Sequence, residues 1–302
     1  MGVSGVLVDV PGSIRRCATV LQPARLSLSA FEAARGFQRV LTESDRPAHV
    51  MPIKAESLER RQRSAGFDWS GRWDRLAHLY FSKIVPLSDL VISLHSGGLQ
   101  QYQTARIIVQ EDSVASLDLA RALGPAWTIL QEGIPVGEST EKAALTLGKP
   151  CIIMELGGGS ERFHLAFMQN VKTIVESLHN VLRYFKIVDE SAMTPQEWLI
   201  VEPGHSLHTA NGGLIVLATS FELKRQLPSG TVLAHILDLF GREVEVIRAP
   251  YDGVVLRFRT SMQCRPDAVR LAVGGHDTIL LVSPFSLATP RSFWSLRLSH
   301  LT

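Results

Sequence analysis

The chain has 302 residues, 45% of them hydrophobic and 20% charged, with a formal net charge of +2. That balance excludes a disordered chain and leaves room for one large domain or two ordinary ones. Near-zero net charge gives no electrostatic case for nucleic acid or an anionic membrane as the main partner.

The first 70 or so positions carry the weakest signals. Gly5 to Val10 reads as a strand stopped by Pro11-Gly12, and Ser29 to Val40 as a helix weakened by Gly36. Glu56 to Arg63 is a charge run, read as a solvated helix face. The sharper alternative is an arginine that clamps a substrate carboxylate. Trp73 to Ile84 has helical spacing of Trp73, Leu76, Ala77, Tyr80 and Ile84, and Pro86 ends it. The apolar run Leu90 to Leu94 reads as a buried strand that stops at His95, Ser96 and the Gly97-Gly98 pair. Ala105–Gln110 and Ala126–Leu130 read as further strands, with a helix over Ser113–Leu123 between them. Glu138–Leu147 is a helix with Gly148 as its C-cap. Cys151 to Met154 runs apolar into Glu155, then Leu156 and three glycines. Phe163 to Phe185 is a long amphipathic helix.

Alternating strands and helices predict an α/β layer with a mixed, largely parallel sheet over residues 1–195, of which 1–72 is poorly defined. The pattern then changes. Short strands punctuated by Asn211-Gly212-Gly213, Pro228-Ser229-Gly230 and Pro250-Tyr251-Asp252-Gly253 predict a smaller all-β domain over 196–285, followed by a tail over 286–302. This domain is placed either to close over a site or to meet a neighbouring subunit in a homo-oligomer. Cys17, Cys151 and Cys264 are widely spaced, form no CxxC pair and fit a reducing cytoplasm. No apolar run is long enough to span a bilayer.

His95 and Glu155 stand out because two apolar strands each deliver an ionisable residue into a glycine turn, whose glycines let something approach closely. That pattern predicts that they meet at the carboxyl ends of one sheet, where open α/β sheets bind ligands. A neutral imidazole there is a suitable zinc ligand, and a carboxylate across the site is a suitable base for a metal-bound water. The bland alternative is a hydrogen-bonded structural histidine. His205 and His208 lie in a loop-rich stretch, His235 and Asp238 sit in a strand, and His276 occupies a turn.

The segment SDLVISLHSGG resembles the DLH(S/T)GG signature of the succinylglutamate desuccinylase/aspartoacylase family of zinc hydrolases, and IIMELGGG resembles that family's strand bearing the catalytic glutamate. The stretches SGTVLAHILDLFGREVEVIRAPYDGVV and VGGHDTI resemble the C-terminal domain of its bacterial branch. The resemblance covers roughly residues 73 to 282 and implies a zinc-carboxypeptidase-like, three-layer α/β/α fold. It makes His95 one of three zinc ligands and Glu155 the base that activates a metal-bound water, acting on the amide (or ester) bond of a small N-acylated amino acid. Two departures accompany it. Ser93 stands where the family has Asp, and no HGxE motif precedes His95; only His49 and His78 do, while Glu56 and Glu59 sit in surroundings that do not suggest ligands. The family's asparagine- and arginine-containing substrate stretch is also missing, because the first asparagine is Asn170. Two readings follow. One is a zinc-dependent deacylase. The other is a truncated, inactive member that serves only as a binding or assembly module.

Overall fold

The computed structural model describes residues 82, 85–97, 101–110, 113–133, 140–158, 164–201, 205–218, 222–260 and 262–264, together with strand backbone at 4–8, 17–21, 48–52, 280–283 and 285–288. The expected helix over Ser29–Val40, the expected helix over Trp73–Ile84 apart from Ser82, the charge run at Glu56, and His78 lie outside the described residues.

The first half contributes β1 (Ser4–Val8), β2 (Cys17–Leu21), β3 (Ala48–Pro52), β4 (Leu90–His95), β5 (Gln101–Val109), β6 (Ile129–Glu132) and β7 (Cys151–Gly158), with helices α1 (Val114–Ala122), α2 (Thr140–Thr146) and α3 (His164–Tyr184). Among the described residues the regular elements of the second half are all strands: β8 (Trp198–Val201), β9 (His205–Leu207), β10 (Gly213–Leu217), β11 (Gln226–Leu227), β12 (Val232–Leu237), β13 (Glu243–Arg248), β14 (Gly253–Arg259), β15 (Gln263–Cys264), β16 (Leu280–Ser283) and β17 (Phe285–Ala288).

The main sheet runs β17-β8-β6-β5-β7-β4-β2-β1-β3. It is parallel across β2–β4–β7 and across β5–β6–β8, and antiparallel where β5 meets β7. The sheet is thus mixed, as expected. The continuous apolar runs of β4 and β7 are central strands: every residue of β7 is buried, as a strand covered on both faces requires. One face carries Leu90, Ile92 and Leu94 with Ile107, Val109, Ile152, Met154 and Leu156, packed under the apolar stripes of α1 and α3. Ser113 caps α1 by accepting the Ser116 N–H, and Gly148 takes a positive φ just after α2.

A second sheet, β13-β12-β10-β15, forms at the C-terminal end over its own core of Ile215, Leu233, Ile236 and Ile247. The rest of the second half does not stand apart. β8 extends the main sheet beside β6, and β14 pairs with the start of β5. Among the described residues no helix is long and apolar enough to cross a membrane.

Candidate active site

β4 and β7 run parallel in a register that sets His95 directly beside Glu155. On the other side of β7 the antiparallel strand β5 sets Arg106 directly opposite Glu155. Aligned residues on neighbouring strands share a face, so one row crosses three strands: His95, Glu155, Arg106. His95 Nδ1 lies 3.9 Å from Glu155 Oε1, and Arg106 Nη2 lies 3.7 Å from the same oxygen. The remaining carboxylate oxygen, Oε2, accepts a hydrogen bond from Gln103 Nε2. Gln103 reaches the same face because the register shifts between Gln103 and Arg106, a bulge that turns a three-residue spacing to one side. Ser93, two residues before His95 and so on its face, places its hydroxyl 2.9 Å from His95 Nε2. The position where the family has Asp therefore still contacts the imidazole, through a hydroxyl.

The row is nearly dry. Glu155 keeps 7% of its surface and Arg106 only 3%. Burial pulls the guanidinium below its ordinary pKa, and the carboxylate beside it pulls it back up. Arg106 Nε and Nη1 and Gln103 Oε1 find no hydrogen-bond partner among the described residues. Arg106 was missed in the sequence. Its signal was a single charge at the head of the apolar run ARIIV, where a buried charge demands a partner.

Two expectations about the motif change. Glu155 is not at a strand end, because β7 continues through Gly157 and Gly158, which pair with Gln103 and Tyr102. The glycines also serve a different purpose. A Cβ on Gly97 would fall 1.8 Å from the Gln101 carbonyl oxygen, and one on Gly158 only 2.5 Å from the Gly97 nitrogen. Gly158 also has φ +109, a conformation that side chains disfavour. What approaches the glycines is the chain's own backbone, with Gly97 N–H donating to Gly157 O at 3.1 Å. Their closeness locks β4 to the β5 entry and so fixes the row.

A zinc site needs about three protein ligands near one point. Among the described residues no group of three His, Cys, Asp or Glu does this. His49 is on β3, three strands from β4, in the backbone row of Leu7, Ala18 and Val91. Ordinary sheet spacings put its backbone roughly 20 Å from that of His95. His235 pairs with Glu243 in the C-terminal sheet. The described donor set, one histidine beside a carboxylate already engaged, does not fit a zinc ion.

The ionisable row thus lies across neighbouring strands of a mixed α/β sheet and is held by a glycine lock. Residues 62–182 match the family model of the succinylglutamate desuccinylase/aspartoacylase catalytic domain. Over that segment the chain is similar to the succinylglutamate desuccinylase/aspartoacylase family. It is 24% identical over 191 residues to the N-alpha-acetyl-L-2,4-diaminobutyric acid deacetylase of Halomonas elongata, a match covering 60% of this chain and 55% of that protein. The chain thus spans about half the length of that curated relative. Its fold is similar to the ectoine utilization protein EutE (DoeB) of Ruegeria pomeroyi, with TM-score 0.68 and 16% identity over 93% of this chain and 88% of that one. A succinylglutamate desuccinylase from Silicibacter gives TM-score 0.66 and 16% identity over 94% and 95%.

Proposed function

We propose that this chain is an amide hydrolase that releases the amine from a small N-acylated amino acid. The supporting observation is the in-register His95–Glu155 pair, which stands on the family's signature strands in a buried row. In this reading Glu155 accepts a proton from water as the water oxygen bonds to the acyl carbon. The C–N bond then breaks, and the same proton passes from Glu155 to the leaving nitrogen, giving a free acid and a free amine. Gln103 and Arg106 hold the carboxylate in place through this exchange. The family resemblance brings zinc to such a reaction, with His95 as a ligand. The described residues supply no second and third ligand; the proton transfers fall to the chain's own groups.

The relative from Halomonas suggests the first substrate to try, N-α-acetyl-L-2,4-diaminobutyrate, beside N-succinyl and other N-acetyl amino acids. Amine release by the purified chain is expected on at least one of them. Glu155→Gln keeps the shape and removes the base, and it should cost about 10²–10⁴-fold in kcat. Equal turnover by Glu155→Gln would remove the assignment. A second reading, a non-catalytic binding or assembly module, draws on the engagement of both Glu155 oxygens by Arg106 and Gln103. Folded protein that binds these ligands without turnover would favour it.

A further inference from the structure

The charges of the row point away from a bound dication. His95 is engaged on both sides, with the Ser93 hydroxyl at Nε2 and Glu155 facing Nδ1. Across Glu155 stands Arg106, buried and 3.7 Å from the carboxylate. The strand flanking β4 on its other side is β2, which ends with Leu21 opposite Leu94. The residues that follow it in sequence, Gln22-Pro23-Ala24-Arg25, include no His, Cys, Asp or Glu. A dication beside His95 would therefore share a poorly screened site with a guanidinium that stays protonated.

We propose that Arg106 takes the place of the metal: the row is a His–Glu–Arg charge network whose cation is built into β5, and it holds no zinc. A buried carboxylate needs a compensating charge, and on β5 that charge arrives covalently, in register and without ligands to assemble. The inference concerns the same residues as the hydrolase reading but rests on donor set and charge, so the two can fail separately.

The test measures metal on the full chain purified from zinc-supplemented cells without chelator, then titrates it with zinc by calorimetry and thermal unfolding. The expected result is substoichiometric zinc, no saturable zinc binding at His95, no zinc-dependent rise in Tm, and the same behaviour in His95→Ala. Arg106→Met should lower Tm by about 5–10 °C, because the carboxylate loses its counter-charge. Adding Glu155→Gln to Arg106→Met should restore most of that loss. A stoichiometric zinc that disappears in His95→Ala overturns the inference, whatever the protein hydrolyses. If Arg106→Met does not fold, the zinc measurement on the unaltered chain still decides. Zinc-free protein that turns over no acylated amino acid overturns the hydrolase reading and leaves the metal inference standing.

Discussion

Gly97 and Gly158 impose the tightest steric demand near the site. At Gly97 an added methyl would overlap the Gln101 carbonyl, which is backbone and cannot swing away. Gly97→Ala must therefore separate β4 from the β5 entry, and a loss of roughly 3 kcal/mol or more is expected in denaturant unfolding. Gly148 has open space at its Cβ, so Gly148→Ala should cost only its positive φ, about 1 kcal/mol. At this scale the sequence was readable for His95 and Glu155, because a charge at the end of an apolar run is a visible break in pattern. It was not readable for the glycines' purpose. A glycine kept for contact with a ligand and one kept for contact with backbone have the same letter. Gln103 stayed hidden for a related reason: its place beside Glu155 depends on a bulge in β5 that no composition cue marks.

Buried polar groups tie the elements together. Two fully buried tryptophans link β6, α3 and β8: Trp127 Nε1 donates to Ser177 Oγ on α3 at 2.6 Å, and Trp198 Nε1 donates to the Trp127 carbonyl at 3.1 Å. Ser177→Ala leaves the Trp127 indole N–H unpaired in a dry core and should cost about 1–3 kcal/mol by urea unfolding. Asn180 on α3 clamps Ala122 O, Met193 O and Met193 N, holding the chain where it leaves the helical layer. In the C-terminal sheet, Glu245 gathers the 209–211 turn. Burial pushes its pKa up, but hydrogen bonds from Thr209, Asn211 and Ala210 outweigh this and hold it below its ordinary value. A depressed carboxylate contributes stability above its unfolded pKa and loses that contribution as pH falls through the folded one. Wild-type protein should therefore lose stability relative to Glu245→Gln as pH drops below the ordinary glutamate value of 4.5. A Tm difference that stays flat from pH 7 to pH 3 would contradict this. Most described elements match their expected positions, because long apolar runs and capped amphipathic stretches carry strong periodic signals. Their ends shift where glycine continues a strand, as in β7.

The molecule departs most from its sequence pattern in how the two halves join. The turn-rich second half reads as a separate all-β unit, and part of it does form its own sheet. Yet β8 extends the main sheet beside β6, and β14 places Arg257 opposite Gln103, which bonds to Glu155. Strand pairing between distant segments has no local signature, so this could not be read from the chain. It predicts that residues 1–195 alone, with the β6 edge uncovered, elute as aggregates in size exclusion, while the full chain unfolds in one transition. The hydrolytic role proposed for the His95–Glu155–Arg106 row is best tested by amine release from N-acylated amino acids, measured on the full chain and on Glu155→Gln. Turnover is expected in the first and a loss of at least about 10²-fold in the second; no turnover in folded wild-type protein, or equal rates in both, would rule that role out.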